Sequence, residues 1–388
     1  MTVDLTAEQQ AVRRLARDVA EREFRSRAAG WDEREEYPWA NVTRLVELGL
    51  MGMTIPVEYG GAGRPVMDAI LAVEQVGRVC GVTARILVEG NLGVVGALVR
   101  FGSEDQRRRY LPLVVKGEKP AIAITEPDAG SAAIEARTRA VRDGNGYRLT
   151  GTKCFITGAG ISTVHLVLAR FTEAPGAAGL GAVLVERGAE GFTVGRRVPM
   201  MGLRGIPEGE LHFADCWVPE QNVLLPPPDG FKKLLSAYNG QRLGASTVAL
   251  GLAQGALDAA VTYARDRRQF GRPIGEFQGL QWLLADMAIK LEAARLLIYR
   301  AAAAAGHGLP DPVETAMAKT FTAEAAIEVT NCALQIHGAY GYSREFPLER
   351  LARDARMFTI GGGTTQMMRN LIARNLLGDG RIRRADAG

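Results

Sequence analysis

Cysteine and histidine are scarce in this chain of 388 residues, which contains four of each. Neither set includes a Cys-x-x-Cys or His-Glu-x-x-His pair; its members are Cys80, Cys154, Cys216, Cys332, His165, His212, His307 and His337. Disulfide frameworks and zinc sites need such residues at close spacings, so we expect neither disulfides nor a metal centre. Unpaired cysteines are typical of a reducing compartment, which favours a cytoplasmic location.

The chain also lacks a large excess of charge of either sign and any long apolar run. Lys and Arg number 47 against 43 Asp and Glu, a net charge of +4, and the basic residues are dispersed, so we do not expect a nucleic-acid partner. No apolar run reaches the roughly 18 residues that span a bilayer, and the N-terminus lacks a signal-peptide pattern, so we expect no membrane association. Because 47% of the residues are hydrophobic, the sequence predicts a folded chain with a large core.

Motifs of two common enzyme classes are absent as well. The chain has no Walker A sequence and no GxGxxG after a predicted strand, so a nicotinamide dinucleotide fold is not supported. It also has no GxSxG nucleophile elbow, which argues against an ordinary serine thioesterase.

Helical periodicity dominates the first part of the chain. Thr6-Ala-Glu-Gln9 is a capping-box sequence that predicts a helix start. Helical patterns follow over 42–50, 66–82 and 92–115. Short β-rich runs separated by Gly, Asp and Asn then favour a compact barrel or sandwich; they are 121–125, 147–149, 164–169, 181–184, 192–194 and 210–213.

Helical patterns return at Phe231, after a Pro226-Pro-Pro228 run that is a plausible linker. An apolar stripe that begins near Glu276 is typical of a helix bundle. The two changes of pattern predict three domains, over residues 1–118, 119–225 and 226–388.

Six short segments occur in an order that resembles the acyl-CoA dehydrogenase flavoproteins. They are Tyr59-Gly-Gly-Ala-Gly63, Thr125-Glu-Pro-Asp-Ala-Gly-Ser131, Lys153-Cys-Phe-Ile-Thr-Gly158, Arg267-Arg-Gln-Phe-Gly271, Gln335-Ile-His-Gly338 and Arg353-Asp-Ala355. The resemblance spans nearly the whole chain. It implies an α+β multidomain fold with an N-terminal helical domain, a middle β-barrel domain and a C-terminal four-helix bundle. It also implies a homotetramer that binds FAD between the middle and C-terminal domains, with part of the site supplied by a neighbouring subunit.

The resemblance further implies which residues hold FAD. Those that flank the isoalloxazine would be Ile122, Ile124, Thr125, Phe155 and Thr157. Those that hold the adenine and pyrophosphate across the subunit boundary would be Arg267, Gln269, Phe270, Gln278, Gln335 and Ala339, with Thr364 and Gln366 completing the cradle. Gly130 and Ser131 would meet the bound ligand or the phosphate edge. Taken alone, Thr125–Ser131 is more often a Pro/Gly turn, and Phe270 would more often be core packing.

The catalytic base of the resembled family is missing. Dehydrogenation of an acyl-CoA needs a carboxylate that removes the α proton while a hydride leaves the β carbon. The family's usual position for this Glu is Gly362, within Ile360-Gly-Gly-Gly-Thr364. Its other position, on a helix next to an arginine, is Gln241, followed by Arg242; an amide cannot accept a proton at neutral pH. Taken alone, Gln241 could equally be a solvated helix residue and Gly361–Gly363 a flexible turn.

Arg85 lies in an apolar stretch that matches the part of the family lining the acyl pocket. The resemblance to glutaryl-CoA dehydrogenases implies that this arginine binds an anionic substrate tail. A planar guanidinium suits a two-oxygen anion, whether sulfinate or carboxylate. The alternative is an internal ion pair with Glu89, four residues further along the helix.

A second set of stretches looks like the desulfinase members of the family, which release sulfite from a sulfinate-bearing acyl-CoA. They are Tyr37-Pro-Trp39, Leu50-Met-Gly-Met53, Met201-Gly-Leu-Arg-Gly-Ile-Pro-Glu208, Ser236-Ala-Tyr-Asn239, Glu276-Phe-Gln-Gly-Leu-Gln-Trp282 and Arg356-Met-Phe-Thr-Ile360. This resemblance implies cleavage of a C–S bond without net redox change and without an electron-transfer partner. The residues expected to bind substrate and CoA are Arg85, Ser131, Tyr238, Asn239, Gln241 and Arg242, with Arg85 and Gln241 as the catalytic pair.

Two other hypotheses stay open at this stage. The chain could be a dehydrogenase for a short dicarboxylic acyl-CoA, with Glu89 as a relocated base. It could also be a flavin-binding paralogue without catalytic activity.

Overall fold

A computed structural model describes residues 4–378, and its first part is helical. The first helix begins where the sequence predicts, because Thr6 and Gln9 exchange both hydrogen bonds of a capping box. A π-helical turn joins the first two helices. The helices of this part are α1 (Ala7–Val19), α2 (Arg25–Arg34), α3 (Trp39–Glu47), α4 (Val66–Gly77), α5 (Gly81–Glu89), α6 (Val94–Phe101) and α7 (Glu104–Val115).

Two of the predicted helices are each divided in two. The pattern over 66–82 covers α4 and the start of α5, and the pattern over 92–115 covers α6 and α7. The second break occurs because Ser103 accepts a hydrogen bond from the Gln106 N–H and so starts a new helix. Periodicity alone misses such breaks, because apolar residues continue across them.

One segment, Gly81–Phe101, is apolar and long enough to pass a compositional test for a membrane span. In the structure it forms α5 and α6, and 89% of the tested window is buried inside the protein. The two helices are therefore buried to the extent that is typical of helices in a protein core.

The middle of the chain forms one eight-stranded sheet in the order β6-β7-β3-β2-β4-β5-β8, with β1 beside β4. The strands are β1 (Ala121–Ala123), β2 (Arg139–Asp143), β3 (Gly146–Thr157), β4 (Val164–Arg170), β5 (Leu180–Glu186), β6 (Phe192–Val198), β7 (Glu208–Pro219) and β8 (Val223–Leu225). Side chains from β1 to β7 meet in one apolar cluster, so the sheet curls around its own core. β3 and β7 are much longer than the β-rich runs that predicted them, and β2 and β8 were not predicted.

The last part of the chain is again helical. Its elements are α8 (Gly230–Asp266), a short hairpin of β9 (Arg268–Gln269) and β10 (Arg272–Pro273), α9 (Gln278–Ala305), α10 (Pro312–His337), α11 (Ala339–Tyr342), α12 (Leu348–Arg356) and α13 (Thr365–Leu377). The predicted apolar stripe runs along α9, where Met287, Leu291 and Ala294 are buried. Helices α8, α9, α10 and α13 form the bundle, and α4 and α5 pack against α8.

The three parts meet around the start of α8. Leu98 of α6, Leu111 of α7, Leu166 of β4 and Leu234 of α8 belong to one buried cluster. Close packing of α5 on α8 is possible because Gly244 has no side chain; a Cβ there would lie 2.5 Å from a methyl carbon of Val88. The expected fold class, helices followed by a β domain and a helical bundle, is confirmed.

Candidate active site

Six charged side chains from all three parts of the chain form one connected set where α5, α8, α10 and the sheet converge, since each lies near at least one other member. Four are cationic and two carry carboxyl groups. They are Arg85 and Glu89 on α5, Lys119 just before β1, Glu208 at the start of β7, Arg242 on α8 and Lys319 on α10. Buried charges are costly unless they are paired, so this charged cluster indicates a functional site.

Glu89 lies at the centre of the cluster, and both of its oxygens are engaged. Oε1 is 3.2 Å from Arg85 Nε and accepts a 3.3 Å hydrogen bond from Gln241 Nε2. Oε2 is 2.5 Å from Lys119 Nζ. The ion pair that the sequence offers as an alternative for Arg85 is therefore present. A carboxylate held by two cations and an amide is poorly suited to act as a relocated base.

Arg85 approaches Glu89 most closely through Nε rather than through its terminal nitrogens. The two-nitrogen edge of the guanidinium, which matches a two-oxygen anion, is left for another partner. The internal ion pair and binding of a substrate anion are thus compatible in this geometry.

Gln241 is buried in the site and is not a solvated helix residue. Its Nε2 faces Glu89, and its Oε1 faces the turn between α5 and α6. At that turn Gly93 has φ +68°, and a Cβ on it would lie 2.4 Å from Gln241 Oε1. Only glycine fits there, so the turn and the amide are matched to each other.

The loop with the second vacant base position is held by two cations. Arg242 Nε donates to Gly362 O at 2.9 Å, and Lys319 Nζ donates to Gly363 O at 2.6 Å and to Phe358 O at 3.0 Å. A Cβ at Gly362 would lie 3.4 Å from Lys319 Cε, so a side chain at this position would enter the charged cluster. Burial and the nearby charges of Arg242 and Arg85 lower the pKa of Lys319 to about 7.

Thr157 and Glu208 stand opposite each other at the ends of β3 and β7. Thr157 Oγ1 donates to Glu208 Oε1 at 2.6 Å, and Lys119 Nζ donates to Thr157 O at 3.0 Å. Burial raises the pKa of Glu208 to about 7. The threonine expected to flank the flavin is therefore connected directly to the charged cluster.

The residues expected around the isoalloxazine lie where the chain after β1 meets the end of β3. The Cys154 N–H donates to Thr125 O at 3.0 Å, and Lys153 Nζ donates to Ile124 O at 3.0 Å, which joins the end of β1 to β3. Phe155, next along β3, is 57% exposed and has φ +53°, an unusual conformation for a bulky residue. Ile122, Ile124 and Thr125 are partly exposed beside it.

The surface around Phe155 fits a flat, aromatic, phosphate-bearing group. Phe155 presents an uncovered ring, and partly exposed apolar side chains lie beside it. Gly130 and Ser131 are exposed in the loop after Thr125, and among the described residues a Cβ at Gly130 would meet no atom within 4 Å. A flavin is a suitable occupant.

The residues expected to hold the adenine end lie elsewhere in the chain. Gln269 and Phe270 are exposed on the β9–β10 hairpin, and Arg267 lies over the Tyr340 ring, which follows Ala339. Gln278 begins α9, and Gln335 lies near the end of α10. Thr364 caps α13 by accepting a hydrogen bond from the Met367 N–H, and Gln366 follows in its first turn.

On the expected CoA side, Arg242 is held by its neighbours on α8. Its Nη1 donates to Asn239 Oδ1 at 2.9 Å, and its guanidinium lies 5.2 Å from the centre of the Tyr238 ring. These two contacts orient the arginine at the edge of the charged cluster.

Three residues of the cluster were not predicted from the sequence. Lys119 is the first residue of the predicted middle domain, and Lys319 is a single lysine among the small residues of α10. Glu208 ends the stretch Met201–Glu208, which resembles the desulfinases but predicts no role for this glutamate. Among residues 4–378, no group of three or more His, Cys, Asp or Glu side chains could hold a metal ion.

The chain matches three family models, described as the N-terminal domain of acyl-CoA dehydrogenase over residues 6–118, the middle domain over 121–216 and the C-terminal domain over 228–377. It is 50% identical over 379 residues to a 3-sulfinopropanoyl-CoA desulfinase of Cupriavidus necator, and the match covers 96% of each chain.

Two solved structures have the same fold, each with a TM-score of 0.94 over 97% of this chain and 100% of theirs. One belongs to the electron transferring flavoprotein of Acidaminococcus fermentans, at 38% identity, and the other to butyryl-CoA dehydrogenase from Megasphaera elsdenii, at 35%. This chain is a flavin-binding member of the acyl-CoA dehydrogenase family.

Proposed function

We propose that this chain is an acyl-CoA desulfinase that converts 3-sulfinopropanoyl-CoA and water into propanoyl-CoA and sulfite. The observation that carries the proposal is the identity of the two residues at the family's base positions. The Gln241 amide donates to Glu89, and the Gly362 backbone oxygen accepts from Arg242, so both positions border the charged cluster. An amide cannot accept a proton at neutral pH, and glycine has no side chain to do so. A relative with half of its residues identical bears the name of this activity.

The charge of the site supports a substrate with an anionic tail. Arg85, Lys119, Arg242 and Lys319 face only two carboxyl groups, so bound substrate would supply the missing negative charge. We propose that the terminal nitrogens of Arg85 hold the two sulfinate oxygens and orient the C–S bond. Gln241 then positions water or the thioester, and Arg242 anchors CoA together with Tyr238, Asn239 and Ser131.

We further propose that the flavin is FAD, held by the residues that the sequence predicts for it. FAD supplies an electron-accepting ring that the family's dehydrogenases use, whereas desulfination has no net redox change. No electron-transfer partner is therefore required. The four free cysteines of the described chain support a cytoplasmic location.

The proposal predicts sulfite release without lasting bleaching of the flavin. Purified yellow protein mixed with 3-sulfinopropanoyl-CoA is expected to produce sulfite and propanoyl-CoA in equal amounts, while the flavin absorbance returns unchanged. Anaerobic mixing with glutaryl-CoA or succinyl-CoA is the comparison. Bleaching with either of these would favour a dicarboxylic acyl-CoA dehydrogenase, and CoA binding without sulfite would favour a non-catalytic paralogue.

We propose a homotetramer in which the β9–β10 hairpin completes the FAD site of a neighbouring subunit. Phe270 at the hairpin tip is 92% exposed and has φ +52°, and α9 leaves Trp282 and Ile289 uncovered. Apolar side chains in such positions are typical of surfaces buried between subunits.

Substitution of Phe270 by alanine tests this arrangement. We expect the variant to lose FAD several-fold faster on dilution and to populate smaller oligomers, because an aromatic contact with the neighbouring subunit's FAD is removed. Light scattering and the flavin-to-protein ratio measure both effects. Val57→Ala, which truncates another exposed apolar side chain, is the control. Equal behaviour of the two variants would contradict the proposal.

A further inference from the structure

Glu208 is the one carboxyl group of the charged cluster that has not been given a function. The two strands that carry it and Thr157 are paired so that these residues are register partners. The single hydrogen bond from Thr157 engages Oε1 and leaves Oε2 for another partner. Glu208 as a whole residue is partly buried, not fully enclosed in the core.

We propose that Glu208 carries the proton that passes from water to C3 of the substrate during desulfination. The inference rests on the proposed function and deepens it, since it names the residue that moves a proton once the dehydrogenase base is gone. It depends on the hydrogen bond between Glu208 and Thr157, the threonine expected to flank the flavin, and on the nearness of Arg85, the arginine proposed to bind the sulfinate.

The titratable and charged groups that face Glu208 come from three parts of the chain. Arg85 and Glu89 face it from α5, Lys119 from the segment before β1, and Tyr238 from α8. On the neighbouring strand β6, Arg197 is engaged elsewhere, since its Nη2 donates to the backbone oxygens of Glu35 and Arg204. The two cations favour the ionised carboxylate, while Glu89 and burial oppose it, which leaves both protonation states of Glu208 accessible near neutral pH.

The reaction balances with water as the only co-reactant. The water oxygen forms a bond to sulfur, and one water proton passes to the Glu208 carboxylate. The C3–S bond breaks, its electron pair stays on C3, and C3 takes the proton back from Glu208. The products are propanoyl-CoA and hydrogen sulfite, and the carboxylate is regenerated without an external oxidant or reductant.

The other polar groups of the cluster are poorly suited to this exchange. Glu89 is engaged at both oxygens, and Gln241 carries an amide. Lys319 donates to two backbone carbonyls that shape the glycine loop. Burial raises the pKa of the Tyr238 hydroxyl, so it stays protonated.

The test compares Glu208→Gln with wild-type protein across pH 5.5–8.5. Since the ionised carboxylate accepts the proton, wild-type kcat/KM for sulfite release should rise about tenfold per pH unit below about pH 7 and level off above it. Glu208→Gln should lose roughly 100- to 10,000-fold in rate, the usual range for a proton-transfer group, and its residual rate should no longer rise through pH 7.

Three controls keep the result interpretable. Glu210→Gln, two residues along β7 and paired with His212, should keep the wild-type profile. Glu208→Asp should recover part of the rate and keep a sloping profile, because it retains an ionisable group. Lys319→Gln removes the other group whose pKa is about 7, so it shows whether Lys319 causes the pH dependence. The rise of kcat/KM through pH 7 should remain in this variant.

The inference is overturned if Glu208→Gln keeps the slope through pH 7, or if the slope disappears in Lys319→Gln instead. If Glu208→Gln cannot hold flavin, the pH profile of Glu208→Asp is the deciding measurement. A Glu208→Asp profile with the same midpoint pH as wild type overturns the inference. If wild-type protein releases no sulfite, the proposed function itself is wrong. If Glu208→Gln releases sulfite at the wild-type rate, only the role of Glu208 is wrong.

Discussion

Arg85→Lys is expected to lower kcat/KM for sulfite release by about 100-fold or more, with the flavin still bound. The reason is geometric rather than electrostatic. Lysine keeps the positive charge beside Glu89, so the buried carboxylate retains a cation. It loses the planar pair of nitrogens that can hold both sulfinate oxygens, a loss of about 3 kcal/mol for a desolvated charged contact.

The measurement is steady-state sulfite release together with the melting temperature of each variant. Arg64→Lys is the matched control, because Arg64 forms an i, i+4 ion pair with Asp68 at 3.1 Å in the same domain but outside the site. We expect that variant to keep its activity. If Arg85→Lys keeps the wild-type turnover, Arg85 does not bind the sulfinate and serves only in the internal ion pair with Glu89.

Gln241→Glu is expected to destabilise the protein by about 2–4 kcal/mol at pH 8 and by clearly less at pH 5. The amide that now donates to Glu89 at 3.3 Å would become a second carboxyl group at that distance. Two carboxylates so close cannot both ionise without cost, so the pKa of the pair rises in the folded state above the roughly 4.3 of an unfolded glutamate.

The sign of the pH dependence follows from this rise. Below about pH 4 both states are protonated, and the substitution costs little in charge repulsion. As the pH increases, the unfolded state ionises first and the folded state lags, so stability relative to wild type falls until the raised pKa is passed.

Denaturant unfolding of Gln241→Glu and wild type at pH 5 and pH 8 gives the free energies of unfolding. Gln281→Glu, an exposed site in the first turn of α9, controls for the added charge. Equal destabilisation of Gln241→Glu at the two pH values would mean that Glu89 and residue 241 do not interact as the structure places them.

Much of the candidate site could be proposed from the sequence because its motifs are local. Thr125, Phe155 and Thr157 each lie in a short segment with a recognisable pattern, and hydrogen bonds between β1 and β3 bring those segments together. The loss of the base could also be read directly from the sequence, since the residue types at positions 241 and 362 are enough to show that no carboxylate is present there.

The contacts among these residues could not be predicted in the same way. Glu89 and Gln241 are 152 residues apart, and Thr157 and Glu208 are 51 apart. Glu208 became visible as a site residue only through the pairing of β3 with β7, because a single glutamate in a β-rich stretch has no distinguishing pattern. Arg85 had two explanations from sequence, and the Glu89 contact through Nε makes both compatible.

By itself, the sequence determined the order of the three kinds of domain, the family and the loss of the catalytic carboxylates. These depend on residue identity and on periodicities that a few neighbouring residues set. Only the tertiary structure decided which charges are paired, where the helices break within continuous apolar patterns, and that Lys119, Glu208 and Lys319 belong to the site. The physical reason is that burial and ion pairing arise when distant segments pack together, and the free energy of each buried charge depends on partners that no local pattern specifies.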